Sequence, residues 1–298
     1  MERLDRRVLA SLYTPVQSAI SEFAEQLAQE SGALAVLFYG SNLRTGSLDG
    51  VLDYYVLLPG PQKERIWPRV SYREWEYGGQ TLRAKIATMS LAKFAEAAEG
   101  KLLDTTIWAR FVQPSALVWQ RDDGAGSTVA AAVGGAAKTA ARLAAALGPS
   151  RGPPDEYWRA LFRATYQAEF RVEKAGREDS ILSANAMHFD GLLPIALEAQ
   201  GIASGQDGST IAPRLDSTAR DHVLRWWAKR RRAGKLLNVA RLLKASTTFD
   251  GAARYAAWKI ERHTGVSVEL TPWRERHPVL AAPGVLMVVW REKRRRAG

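Results

Sequence analysis

"AVLFYGSNLRTGSLDGVLDYYVLL", Ala35 to Leu58, is the stretch on which the reading of this chain turns. A hydrophobic run stops at Gly40–Ser41, a polar loop follows, and a second hydrophobic run opens with one carboxylate, Asp53. Such runs, bounded by turn residues, predict buried strands over Ala33–Tyr39 and Val51–Leu58. Alternation along the second strand puts Val51, Asp53, Tyr55 and Leu57 on one face. Gly40 lets the backbone turn sharply and approach a ligand closely. A helix beginning at Ser41 would offer N–H donors to a phosphate. A carboxylate beside such a turn suits Mg2+, which takes carboxylate oxygens together with substrate phosphates. Phosphates held by backbone donors, a metal held by a carboxylate and in-line attack on an α-phosphorus make up the physical logic of nucleotidyl transfer. Taken alone, the same residues are also what a turn glycine and an exposed strand-end aspartate would supply.

Outward from this pair, apolar positions Leu9, Leu12, Val16, Ile20, Phe23 and Leu27 recur at helical spacing and predict one amphipathic helix over residues 4–30. Downstream, Arg69–Tyr77 and Thr81–Met89 read as strands around a Gly-Gly turn. "LAKFAEAAEGKLLDTTIWARF" reads as mostly helical and "ALVWQ" as one more short strand. Arg121–Ser127 reads as a loop or linker. Beyond it the pattern is helical almost throughout, broken by Gly148–Glu156 and by a long loop, "GIASGQDGSTIAP". "VSVEL" and "VLMVVW" near the end predict a small C-terminal hairpin. The expected organisation is an α/β domain over residues 1–121 and a mostly helical domain over 122–298, with the functional cleft between them.

Composition sets the outer bounds. The 298 residues include no Cys, which excludes a disulfide scaffold, cysteine-ligated zinc and a cysteine nucleophile. His188, His222, His263 and His277 are scattered without ligand spacing. No apolar run approaches the ~20 residues of a membrane span, and the start lacks the apolar core of a secretory signal, so a cytoplasmic location is expected. The net charge of +11, from 42 basic and 31 acidic residues, predicts a polyanionic partner.

Read in order, five features resemble the mitochondrial-type phosphatidate cytidylyltransferases, the translocator assembly and maintenance protein family of the nucleotidyltransferase superfamily. They are "YGSNL" with "VLDYYVLL", the Lys-bearing "LRAKIATMSLAKFAEA", "ARFVQP" at Ala109–Pro114, "YQAEFR" at Tyr166–Arg171, and "LLKASTTFDGAARYAAWKIERHTG". The resemblance spans roughly residues 35–265. It implies a nucleotidyltransferase-like mixed sheet with a helical second domain, and a reaction in which CTP and phosphatidic acid give CDP-diacylglycerol and pyrophosphate with Mg2+. By that analogy Gly40 and Ser41 hold the triphosphate, Asp53 binds the metal, and Lys85 and Arg110 neutralise phosphate charge. Tyr166, Glu169 and Arg171 close the site from the helical domain, Glu169 as a second metal carboxylate, and Lys244 adds a phosphate contact. The chain departs from the superfamily's Asp-x-Asp pair, having Val51 and Tyr55 around Asp53. A second carboxylate is then expected from Asp49, Glu169 or elsewhere, unless one metal suffices. Glu169 also stands where the family has Asp.

A lipid acceptor requires docking at a bilayer. "LRWWAKRRRAGKLL" places Leu224, Trp226 and Trp227 beside Lys229–Arg232 and Lys235, the make-up of an interfacial segment on an anionic membrane surface. The basic tail "REKRRR" would add attraction. The expected placement is peripheral, on the inner face of the cell membrane. Two other readings stand beside this one: a nucleotidyltransferase acting on a sugar, drug, nucleic-acid end or protein hydroxyl, and a non-enzymatic basic nucleic-acid-binding protein. The chain carries no recognised nucleic-acid motif, so no specific nucleic acid is expected as a partner.

Overall fold

The computed structural model describes residues 2–168, 176–248, 250–276 and 278–297. In chain order the elements are α1 (Arg3–Leu12), α2 (Ser18–Ser31), β1 (Ala35–Tyr39), α3 (Ser41–Thr45), β2 (Leu52–Leu58), β3 (Arg69–Tyr77), β4 (Gln80–Ser90), α4 (Leu91–Ala98), α5 (Thr106–Phe111), β5 (Ser115–Gln120) and α6 (Asp123–Leu147). There follow α7 (Pro154–Ala168), α8 (Arg177–Ala184), α9 (Ala186–Phe189), α10 (Leu192–Glu198), β6 (Ser204–Asp207), β7 (Thr210–Pro213), α11 (Ser217–Thr248), α12 (Ala252–Thr264), α13 (Pro272–Arg276) and α14 (Pro278–Ala297).

β1 to β5 form one mixed sheet in the order β3-β4-β2-β1-β5. β1 runs antiparallel to β2 and β5, β2 parallel to β4, and β3 antiparallel to β4. Because successive strand side chains alternate, the sheet has two apolar faces. Val36, Phe38, Leu52, Tyr54, Val56, Leu82, Ala84 and Ile86 pack under Ile20, Phe23, Ala24 and Leu27 of α2. Leu37, Tyr55, Leu57, Ala87, Met89 and Leu117 face the opposite way, into a larger core with α1, α4, α5 and α6. That core does not break at residue 121: one buried cluster runs from Leu4 through Trp108 and Val129 to Trp158 and Trp227. The result is an α/β fold with a mixed sheet and an attached helical region, as expected.

Five local expectations are corrected. The helix expected over 4–30 is two helices, because Pro15 lacks an N–H and disfavours the α conformation at Thr14. The linker expected at Arg121–Ser127 is mostly the first turn of α6, whose Ala125 N–H donates to the Asp122 side chain at 2.8 Å. The loop "GIASGQDGSTIAP" contains the β6–β7 hairpin, closed by Gly208–Ser209 between paired Asp207 and Thr210; a two-residue Gly-Ser connection is itself a hairpin signal. Among the described residues no C-terminal hairpin forms: Val266–Leu270 carries no regular structure and "VLMVVW" lies in α14. A short continuous apolar run fits a buried strand or a helix equally, and here it continues a helix that already contains Pro283 and Gly284.

The fifth correction concerns the Trp-Trp segment on α11. Trp227 is buried and Trp226 half-buried, both against Trp108, with ring centroids 6.3 and 6.0 Å from it. Trp226 Nε1 donates to the Gly100 carbonyl at 3.2 Å, and the Arg230 guanidinium, itself buried, lies 3.9 Å over the Trp226 ring. Trp227 therefore belongs to the protein core, and Trp226 packs at its edge rather than standing free on the surface.

Candidate active site

At the rim of the larger core the sheet carries a row of paired residues: Ser115, Tyr39, Asp53, Lys85 and Tyr72, one from each strand. Residues directly opposite in register share a face. One step inward on that face the row is Leu117, Leu37, Tyr55 and Ala87, all buried and apolar. Asp53 therefore stands where the apolar face ends, half-buried and just outside the packed interior.

β1 ends at Tyr39 and the chain turns at Gly40, with φ +92° and ψ −161°, before α3 opens at Ser41. A Cβ at Gly40 would lie 3.1 Å from Asp53 Oδ2. Both the backbone conformation and the close approach of the carboxylate demand glycine at this position. The buried Asn42 then pins the following loop, its Nδ2 donating to the carbonyls of Ser47 and Asp49 at 2.8 Å each. Ser41 is exposed at the helix start, its Oγ donating to Asn42 Oδ1 at 3.3 Å.

Two cations face the carboxylate. Lys85 is its cross-strand partner on β4, and Arg110 reaches over from α5, its guanidinium 5.1 Å from the Tyr39 ring centroid and 5.9 Å from that of Tyr55. Loss of solvent is the largest influence on the Asp53 carboxyl and raises its pKa; Lys85 and then Arg110 oppose that rise without cancelling it.

Behind the site, α11 clamps the elements that carry these groups. Buried Asp104 accepts from Thr106 N at 3.0 Å and from Thr106 Oγ1 at 2.6 Å, capping the start of α5, and it pairs with Arg241 of α11. Arg241 Nε also donates to the Trp67 carbonyl at 2.9 Å, with its guanidinium 5.1 Å over the Trp67 ring. Lys244 donates to the neighbouring Ile66 carbonyl.

Of the residues expected at a site, Gly40, Ser41, Asp53, Lys85 and Arg110 come together. Lys244 reaches the β2–β3 loop, a part of the clamp. Tyr166 lies half-buried on α7 against the larger core. Glu169 and Arg171 lie outside the described residues. The side chain of Asp49 is exposed, with its carbonyl held by Asn42. Among the described residues no three His, Asp or Glu side chains converge as a metal-binding group. Asp104, Arg241 and Asn42 were not expected. Asp104 had a local signal, an acidic residue just before a helical run. Arg241 had none, since nothing distinguishes it among the other cations of its segment. No protein-family model and no curated protein matches this chain.

Proposed function

We propose that the protein is a nucleotidyltransferase, and that its reaction is cytidylyl transfer from CTP to phosphatidic acid. The observation that carries the proposal is the placement of Asp53 against Gly40 with Lys85 and Arg110 facing it. A turn that admits only glycine, a carboxylate and two cations supply the contacts a nucleotide triphosphate needs. The choice of CTP and phosphatidic acid rests on the family resemblance.

The donor set fits Mg2+ as a one-carboxylate site. Asp53 offers hard oxygen ligands at a cradle that a Cβ would fill, and Mg2+ commonly completes its shell with water and substrate phosphates. When bound there, Mg2+ would supply charge neutralisation on the phosphates. Lys85 and Arg110 would bind phosphate oxygens, and the Gly40–Ser41 turn would orient the triphosphate. A phosphate oxygen of the acceptor forms the new bond to the α-phosphorus, and the bond from that phosphorus to the β-phosphate bridging oxygen breaks, releasing pyrophosphate. The acceptor is already ionised, so no strong general base is needed in a site without histidine.

No helix among the described residues is long and apolar enough to cross a membrane. With Trp227 in the core and Trp226 packed at its edge, peripheral attachment would fall to the exposed Leu236 and Val239 beside Lys229, Arg231, Arg232 and Lys235, and to Leu280, Met287, Val288 and Trp290 of α14. The inward Trp pair also removes one argument for a lipid acceptor and so favours, as the second reading, a soluble acceptor at the same site. Incubating purified protein with labelled CTP, Mg2+ and phosphatidic acid micelles should yield a liponucleotide. Labelling of a soluble acceptor, with no liponucleotide, would establish the second reading; no transfer to either would end both.

A further inference from the structure

Helix α12 covers the β3–β4 side of the polar row, across Asp53 from the Gly40–Ser41 turn. Gly251 begins it at the β3 edge, where a Cβ would lie 2.6 Å from the Tyr72 carbonyl oxygen. The Tyr255 ring packs on Tyr72, their centroids 5.4 Å apart. One turn further, Trp258 lies between two guanidinium groups: Arg83 of β4 at 5.5 Å and Arg262 of α12 at 5.3 Å from its ring. Arg83 is two residues from Lys85 and so shares its face. It pairs with Glu74 at 3.5 Å.

Arg262 differs from Arg83. Among the described residues no carboxylate pairs with it, and it is exposed. Its position is nevertheless built. Gly50, in the loop that enters β2, has φ +89°, and a Cβ there would lie 3.0 Å from Arg262 Nη1. The guanidinium thus rests where a side chain at residue 50 would reach, with the Trp258 ring 5.3 Å from it. Gly50 is three residues before Asp53, at most about 11 Å along an extended chain.

We infer that Arg262, beside Trp258 and in the space a side chain at residue 50 would reach, binds the phosphate monoester of the acceptor. The inference rests on the transferase reading above and deepens it. In-line displacement puts acceptor and leaving group on opposite sides of the transferred phosphorus. With the triphosphate at Gly40–Ser41 on the β1 side, the acceptor must enter from the β4 side, under α12. A planar guanidinium with no acidic partner matches two phosphate oxygens at once.

Calorimetric titration of the full chain with dihexanoyl phosphatidic acid, and separately with CTP, tests this. Arg262→Ala should weaken dihexanoyl phosphatidic acid binding tenfold or more, leave CTP binding unchanged, and raise the KM of the lipid alone in turnover assays. Arg262→Lys should recover part of the loss, since it keeps the charge and gives up the fork. Gly50→Ala carries the same backbone strain at φ +89° in either background, so it should weaken lipid binding more when Arg262 is present than in Arg262→Ala, and the difference is a coupling that a merely structural role would not produce. Equal lipid affinity in wild type and Arg262→Ala overturns the inference; so does a loss confined to CTP, which would assign Arg262 to the nucleotide. Wild-type protein that binds the short-chain lipid through Arg262 yet forms no liponucleotide would refute transfer to phosphatidic acid and leave the phosphate site standing.

Discussion

Replacing Gly40 by alanine loads the protein in two separable ways, and their separation tests the geometry of the site. The first load is conformational. At φ +92° and ψ −161° an L-residue occupies a region that is essentially reserved for glycine, at a cost of about 1–3 kcal/mol. The second is the contact with Asp53. The new methyl would sit 3.1 Å from Oδ2, whereas its next neighbours, Asp53 Cβ and Cγ, lie at 3.7 and 3.8 Å, ordinary van der Waals distances. Relieving the first contact means swinging the carboxylate away from its place before Lys85 and Arg110, and forcing an added methyl into a filled space costs about 1–3 kcal/mol. Gly40→Ala should therefore destabilise the wild-type chain by about 2–6 kcal/mol, but by only about 1–3 kcal/mol when Asp53→Ala is already present. Denaturant midpoints of the wild type, the two single variants and the double variant give the coupling directly. Gly46→Ala serves as the control. Gly46 has φ +65° with nothing within 4 Å of a Cβ, so its cost of about 1 kcal/mol should be indifferent to the Asp53 background. If Gly40→Ala costs the same with and without the Asp53 carboxylate, the turn and the acid are not in contact and the site as described does not exist. Transfer activity should fall further than stability does, since a misplacement of about 1 Å can cost on the order of 100-fold in rate.

Two further outcomes follow from parts of the fold outside the row. His188 Nε2 donates to the Val112 carbonyl at 2.8 Å, next to the helix that carries Arg110; burial chiefly lowers its pKa, the Val112 bond opposes that, and Arg7 lowers it further. The unfolded chain takes up this proton first as pH falls, so stability is retained above the ordinary histidine range and lost as pH drops through it toward the lowered folded value. His188→Gln keeps a donor and cannot titrate, so its unfolding midpoint should stay flat in that window while the wild type declines; parallel curves would remove the effect. Trp227→Ala should lower stability by about 3–5 kcal/mol as a core truncation and leave flotation of the folded protein with anionic vesicles unchanged. Preserved stability with lost flotation would instead restore the interfacial reading of that segment.

Local pattern was enough for much of the frame. The strands around Gly40 and Asp53, the Lys85 strand and the alternation that aims Asp53 and Tyr55 to one face are properties of a few neighbouring residues, because strand period and turn chemistry act over short distances. Where local signals compete, context settles the outcome. Pro15 splits the first helix, Gly208–Ser209 closes a hairpin, and the apolar run at the C-terminus takes the flanking helical state. The site itself lies at another level. That Lys85 faces Asp53 depends on the register of a parallel strand pair, and Arg110 arrives on a helix whose start Asp104 holds to Arg241, far along the chain. Trp226 and Trp227 have the composition of a membrane contact, yet Trp108 and the Gly100 carbonyl draw them inward. A sequence states which side chains can turn, stack, carry charge or avoid water. Which of them meet is decided by packing among distant elements, since burial and the pairing of charge are properties of the assembled chain and of no single segment in it.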